Sequence, residues 1–316
     1  MTQILETKKA ARVHLAWAVA AVGFVTLIGA AGFRSVPSVL LDPLHDEFGW
    51  SHATISSAVS INLMLYGLIS PFAAALMDRL GLRRVVTGAL ILIALGSGLT
   101  VFMTSSWQLL LCWGLLVGIG TGSMSMTFVA TITGRWFVHR RGLVTGILTA
   151  AGATGQLVFL PLIASLAARY GWRVPALVAA GAALAVVPLV LLFLRDFPSD
   201  VGLRAYGAPE GSTVGQRVET SGSSGIRALN ALRTAIRRPA FWFLAGGFAI
   251  CGASTNGLIG THFVTAAHDH GMPATTAASL LALVGVFDVG GTIASGWLTD
   301  RWDPRYLLIA YYSGCW

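Results

Sequence analysis

Two ionisable side chains stand inside long apolar runs: Arg34, in GAAGFRSVPSVLL, and Asp288, in ALVGVFDVGGTIASG. A charge at the bilayer centre costs at least about 2.5–3.5 kcal/mol on insertion scales, so an intramembrane ion is a functional candidate by default. Arg34 is the candidate for an anionic solute group, and Asp288 for balancing it or carrying a proton. The plain alternative is an Arg34 that snorkels to the interface and an Asp288 that makes an ordinary helix contact. Asn62, Gln156, Asn256 and His262 form a second tier, each with a helix–helix hydrogen bond as its plain alternative, since polar groups in lipid take whatever internal partner they find. His262 would titrate near neutral pH. Other chemistries leave no trace: HExxH, P-loop and GxSxG motifs are missing, and Cys112, Cys251 and Cys315 have no C-x-x-C spacing. An enzyme, a metal site and a cofactor are therefore not expected.

Hydropathy supplies the elements that position these residues. Of 316 residues 55% are hydrophobic and 11% charged, against about 25% charged in soluble domains. An α-helix needs roughly 20 apolar residues to cross a bilayer. Candidate spans run near 15 to 40, 53 to 77, 85 to 104, 107 to 133, 142 to 168, 173 to 194, 239 to 266 and 274 to 298, and a ninth begins at about Tyr306. Barrel strands would instead alternate over segments of about 10 residues. The first run exceeds the usual signal-peptide core and is expected to be retained. The expected fold is an all-α polytopic membrane bundle: six helices in residues 1–194, a linker over 195–238 containing SGSSG, and a partial second bundle over 239–316. The linker is expected to be a solvated, flexible connector, with a regulatory or partner-binding segment as the alternative.

Basic residues set orientation by their bias toward cytoplasmic loops. With the N-terminus inside, 18 of the 21 Lys and Arg residues fall in inner loops, Arg169 and Arg173 fall outside, and Arg34 lies within a span. The net charge of +8 is thus topogenic and does not imply nucleic acid. The bilayer of a plasma (inner) membrane is the expected location. Trp50, Trp107, Trp136, Trp172, Trp242, Trp297 and Trp302 sit near span ends, as interfacial anchors do. The outer-loop groups Asp42, His45, Asp46, Glu47, His268 and His270 are expected to be solvated.

An internal repeat divides the chain. At an offset of 222, Asp78 and Arg79 fall on Asp300 and Arg301, Gly49 on Gly271, and Arg34 on Asn256. Parallel repeats of this kind build transporters from two halves with a site between them. The first copy reads Asp78-Arg79-Leu80-Gly81-Leu82-Arg83-Arg84, and the second Gly296-Trp297-Leu298-Thr299-Asp300-Arg301, followed by Arg305.

These loops resemble the signature G-x-x-x-D-R-x-G-R-R of the major facilitator superfamily, with Ala74 for the first Gly in copy one and Asp303 at the place of Gly81 in copy two. GLLVGIGTG at 114–122 and RWFVHRRGLVTGILTAAGATGQ at 135–156 are similar to the fourth and fifth helices of the monocarboxylate-porter-like branch. The resemblance implies a secondary transporter working by alternating access, in which the signature Asp holds one end closed on a helix N-terminus of the opposite half. Asp300 would then meet the start of span five near Arg141 and Gly142, while the partner of Asp78 would lie on an eleventh span beyond the sequence. Asp288 matches the eighth-helix Asp of that branch, eight residues before Gly296. Thr292 stands where the branch has Arg, and Ser38 where it often has Lys, leaving Arg34 as the replacement cation.

The expected function is transport of a small solute, with an organic anion and a coupled proton as candidates. The alternatives are a non-transporting membrane sensor or a truncated, nonfunctional remnant, since LLIAYYSGCW begins like a ninth helix and the second half is expected to be four helices short.

Overall fold

The computed structural model describes residues 14–34, 36–210, 214–215, 224–252, 254 and 274–313. Among these, every extended element is a helix, and the one strand-like pairing is an isolated bridge between Phe137 and Tyr206. Helices satisfy backbone donors and acceptors internally, which a bilayer core demands. Six segments are long and apolar enough to cross a membrane: Leu15–Phe33, His52–Leu80, Leu82–Phe102, Ser106–Trp136, Arg141–Tyr170 and Arg173–Phe193.

The first span contains α1 (Leu15–Arg34), and the described residues resume as α2 (Val36–Phe48). Next come α3 (His52–Leu80), capped by the Ser51 hydroxyl on the Thr54 amide, and α4 (Leu82–Leu99).

Span four is not one helix. It begins as α5 (Ser106–Leu109), runs through a π-helical stretch Leu110–Val117 into α6 (Gly118–Ser123), and breaks before α7 (Met126–Trp136). At the break Ser125 turns extended (φ −71°, ψ −167°). Hydroxyls surround it: Thr121 and Ser123 bond back to the carbonyls of Val117 and Ile119, and the Ser70 hydroxyl lies 2.8 Å from that of Ser125 and 2.5 Å from that of Thr127. Such side-chain bonds compete with the helical ladder and stand in for what the break leaves open.

Two further spans, α8 (Arg141–Tyr170) and α9 (Arg173–Phe193), complete the first bundle. Then come α10 (Ser224–Ile236), α11 (Pro239–Gly252), α12 (Ala274–Thr299) and α13 (Pro304–Ser313). In the first bundle α1 packs on α8 and α9, α4 on α9, and α3 on span four. Span four is the most enclosed, with 67% of its apolar window buried, and α3 the least, with 6%. Gly118 and Gly122 make that packing possible: a Cβ on Gly118 would lie 3.2 Å from the Asn62 Cα, and one on Gly122 3.0 Å from the Leu65 carbonyl. Small residues at such spacing let helix backbones meet in lipid.

At the end away from the signature loops, Glu47 closes α2 onto the start of α9. Its carboxylate accepts from the Trp172 indole at 2.5 Å and from both terminal nitrogens of Arg173, at 2.6 and 3.2 Å. Glu47 stays exposed, as an outer-loop acid is expected to be, but it is paired. Trp172 is expected among the headgroups. Instead Trp172 is buried, because its N–H has a carboxylate partner and its ring packs on Phe48. Trp136 is also buried, whereas Trp107, Trp242, Trp297 and Trp302 are exposed.

The Arg173 and Trp172 hydrogen bonds hold the Glu47 carboxyl below its ordinary value of 4.5. A depressed carboxylate contributes stability that is present above its unfolded value and lost as pH falls through the folded one. The pair is partly exposed, so its worth is at most about 1 kcal/mol. The melting temperature of Glu47→Gln in detergent should lie below that of the parent by a constant margin from neutral pH down to about 4.5, and the two should converge below that.

Candidate transport site and gate

The two halves meet where α12 lies antiparallel along α8. Three glycines bring the backbones together: a Cβ on Gly146 would lie 2.7 Å from the Thr292 carbonyl, and one on Gly296 2.8 Å from the Gly146 Cα, with Gly142 facing the Gly296 carbonyl. Helix α8 lacks a capping side chain of its own, because Arg140 before it takes a left-handed conformation (φ +60°) and makes no cap bond. The acceptor comes from the other half. Asp300 receives the Gly142 amide at 2.6 Å on Oδ1 and the Leu143 amide at 2.8 Å on Oδ2. An anion on two free amides of a helix N-terminus combines charge-assisted bonding with a favourable dipole. The neighbouring Arg301 lies over the Trp297 ring at 3.7 Å.

The first copy of the loop is engaged differently. Asp78, expected to await an eleventh span, has a partner in its own half: Arg135 at the end of α7, at 2.7 Å. That guanidinium is nearly buried and also donates to the Met77 carbonyl at 3.3 Å and the Asp196 carbonyl at 3.4 Å, with its Cζ 4.3 Å above the Phe197 ring. The Asp196 carboxylate in turn takes the Arg83 amide at 2.8 Å, at the first turn of α4. Gly81 sits between them at φ +93°, and any Cβ there would strike that carboxylate. Glycine is thus needed both for the backbone angle and for the space. Arg79 and Arg84 are exposed.

Residues 195–207, expected as the start of a flexible connector, form an ordered strap. Tyr206 donates its amide to the Trp136 carbonyl at 2.8 Å and accepts at its own carbonyl from Val138 and His139, while its ring packs against His14, Trp17 and Phe137. The strap was missed because its anchors are 60 to 190 residues away in sequence; the one local signal is the run of polar and turn residues in RDFPSDVGLRAYG.

Between α1, α3, span four and α8 lies a cavity of about 70 Å³ lined by Tyr66, Thr121, Ser125 and Thr149 among apolar groups such as Leu27 and Met124. No charged side chain lines it. Asp288 and Gln156 are exposed, on α12 and α8 respectively. Asn62 is spent on a helix–helix bond, its amide donating to the Trp113 carbonyl at 2.8 Å. Asn256, His262 and the side chain of Arg34 lie outside the described residues.

Close contacts fix the levels of the two charges. Gly296 abuts Gly146, and Gly285 abuts Leu157, so interpolation sets Asp288 level with Thr154, less than one helical turn beyond Gly152, which lines the cavity. On the other side Gly155 abuts Ala31 and Gly32 abuts Phe159, so the Arg34 backbone lies about seven residues farther along α8, roughly 10 Å at the helical rise. The Arg34 backbone and Asp288 thus stand at different depths along α8.

A membrane helix bundle in two repeated segments, joined along a glycine seam with a carboxylate of one segment on a helix N-terminus of the other, has the two-half architecture of facilitator-type membrane proteins. The profile described as Major Facilitator Superfamily matches residues 22–316, and the chain belongs to that superfamily. It is 24% identical over 301 residues to the uncharacterized MFS-type transporter YcxA of Bacillus subtilis (strain 168), covering 94% of this chain and 68% of that one. It is 28% identical to monocarboxylate transporter 11 of Mus musculus, covering 94% and 62%, and 31% identical to monocarboxylate transporter 13 of Bos taurus, covering 78% and 53%. The chain thus spans little more than half the length of these monocarboxylate transporters. In fold it is similar to a double-tryptophan mutant of XylE (TM-score 0.64, 16% identity, 91% of this chain and 70% of that one) and to the xylose transporter XylE from E. coli in a partially occluded inward-open conformation (TM-score 0.57, 14% identity, 90% and 84%). The chain is an integral membrane protein.

Removing the Asp300 carboxylate leaves two helix-end amides without their acceptor, at a cost of about 1 kcal/mol. Asp300→Ala should therefore raise the rate at which a cysteine placed at Ser295, in the cleft beside the seam, reacts with a membrane-impermeant maleimide by about fivefold. Asp300→Asn, which keeps one acceptor, should fall between the two.

Proposed function

We propose that this chain forms the first half and the beginning of the second half of a secondary active transporter, with its N-terminus cytoplasmic, in the plasma (inner) membrane. It moves a small organic anion by alternating access, with Arg34 receiving the anionic group and Asp288 balancing that charge or carrying a coupled proton. The observation that carries this reading is the position of Asp288: exposed, on the cross-half helix α12, less than one helical turn from the level of Gly152 in the cavity wall of the first half. A difference in depth of roughly 10 Å between the Arg34 and Asp288 backbones suits a solute held between them better than a direct ion pair. The relatives named as monocarboxylate transporters support an acidic solute, and the absence of an ATP-binding motif favours exchange or ion-coupled flux.

The hydroxyl-lined, uncharged cavity favours a second reading, a neutral polar solute bound in the first half alone. Uptake into proteoliposomes with a panel of labelled carboxylates and polyols separates the two. For an acidic solute, Arg34→Gln should lower uptake at least tenfold, and Asp288→Asn should abolish accumulation driven by an inward proton gradient while leaving solute exchange measurable. Normal carboxylate uptake by both variants would remove the anion reading, and uptake of polyols alone would establish the neutral one.

A further inference from the structure

We propose that α10 is an interfacial helix that docks on anionic lipid headgroups beside the first span of the second half. At 13 residues it is about 20 Å long, too short to cross the hydrocarbon, and its composition is two-sided. At about 100° per residue Leu232, Ile236, Leu229 and Ile226 share one arc, which Arg233 also enters between Leu229 and Ile226, while Asn230 and Thr234 lie on the adjoining polar side. Although α10 lies against α3, the apolar face is left open: Ile226 is 60% exposed, Leu229 54%, Leu232 39% and Ile236 41%.

Charge selects the occupant. The sequence from Thr220 to His268 contains no Asp or Glu, while Arg227, Arg233, Arg237 and Arg238 crowd into twelve residues. Four cations without a balancing acid match a surface of phosphate headgroups. Geometry selects it too. The chain turns sharply from α10 into α11, with the Arg238 amide on the Ala235 carbonyl and the Phe241 amide on the Arg238 carbonyl. The Trp242 indole donates to the Ile236 carbonyl at 2.9 Å and so closes the α10 C-terminus. Arg237 and Arg238 border a cleft whose other walls are Ile236, Pro239, Trp242 and Phe243. Cations, an amphipathic ring and an apolar floor thus follow one another from headgroup depth into the acyl region. The exposed α10 face also continues into the exposed apolar surface of α11, at Phe243, Leu244 and Phe248. A basic helix with an open apolar face at the foot of a span is bound by lipid through buried area and charge together.

The test places a cysteine at Leu229, labelled with the polarity-sensitive fluorophore NBD, in the full chain with Cys251 and Cys315 changed to Ser and the buried Cys112 kept. The protein is reconstituted into vesicles of phosphatidylcholine alone or with phosphatidylglycerol added. In the mixed vesicles the emission should shift to the blue and be quenched by brominated lipid. The triple variant Arg233→Gln, Arg237→Gln, Arg238→Gln should raise the phosphatidylglycerol fraction needed for half of that change severalfold, each arginine contributing about fivefold to partitioning at an anionic surface. It should also co-purify with fewer phosphatidylglycerol molecules by native mass spectrometry. Water-like emission in both vesicles would overturn the proposal. So would an apolar emission already present in detergent and indifferent to the arginines, because protein, in this chain or a second copy, would then cover the face.

Discussion

The two halves of this protein hold together because, at three glycines, α8 and α12 carry no side chain between their backbones. In lipid there is no hydrophobic gain from pressing two apolar helices together, so association rests on close packing and on polar groups finding each other. Gly142, Gly146 and Gly296 provide the packing. Asp300 provides the polar group, and it reaches the Gly142 and Leu143 amides only because the backbones are already that near. The seam and the cap are thus one device: without the glycines the carboxylate would stand off, and without the carboxylate the α8 amides would turn to water.

The same seam sets the depth of the intramembrane charges: Asp288 stands less than one helical turn from the level of the hydroxyl-lined cavity, and the Arg34 backbone about two helical turns farther along α8. The intramembrane charges were the first feature visible in the sequence, and their relative depth the last to emerge, since depth depends on which glycine meets which side chain across helices.

Much of the fold was legible in advance for a physical reason. A bilayer permits few backbone solutions, so hydropathy located the spans, and the resemblance to the superfamily's signature loop pointed Asp300 toward the start of α8. What escaped the sequence is polar and long-range. The break at Met124–Ser125 depends on Ser70, more than fifty residues earlier. Glu47 reads as a solvated loop acid until Trp172 and Arg173 arrive beside it. The strap at 195–207 reads as linker because its bonds go to Arg83, Arg135 and Trp136. In the loops no periodicity constrains the chain, and individual hydrogen bonds decide.

Arg135 gives these loops a mechanical meaning. One nearly buried guanidinium pins the end of α3, the end of α7 and the strap that leaves α9, while Asp196 pins the start of α4 to the same point. Four helix ends converging on one rivet make this rim of the first bundle a stiff plate. A plate of that kind transmits torque without flexing. In the alternating-access cycle proposed above, the first bundle would serve as the fixed arm against which the second one turns.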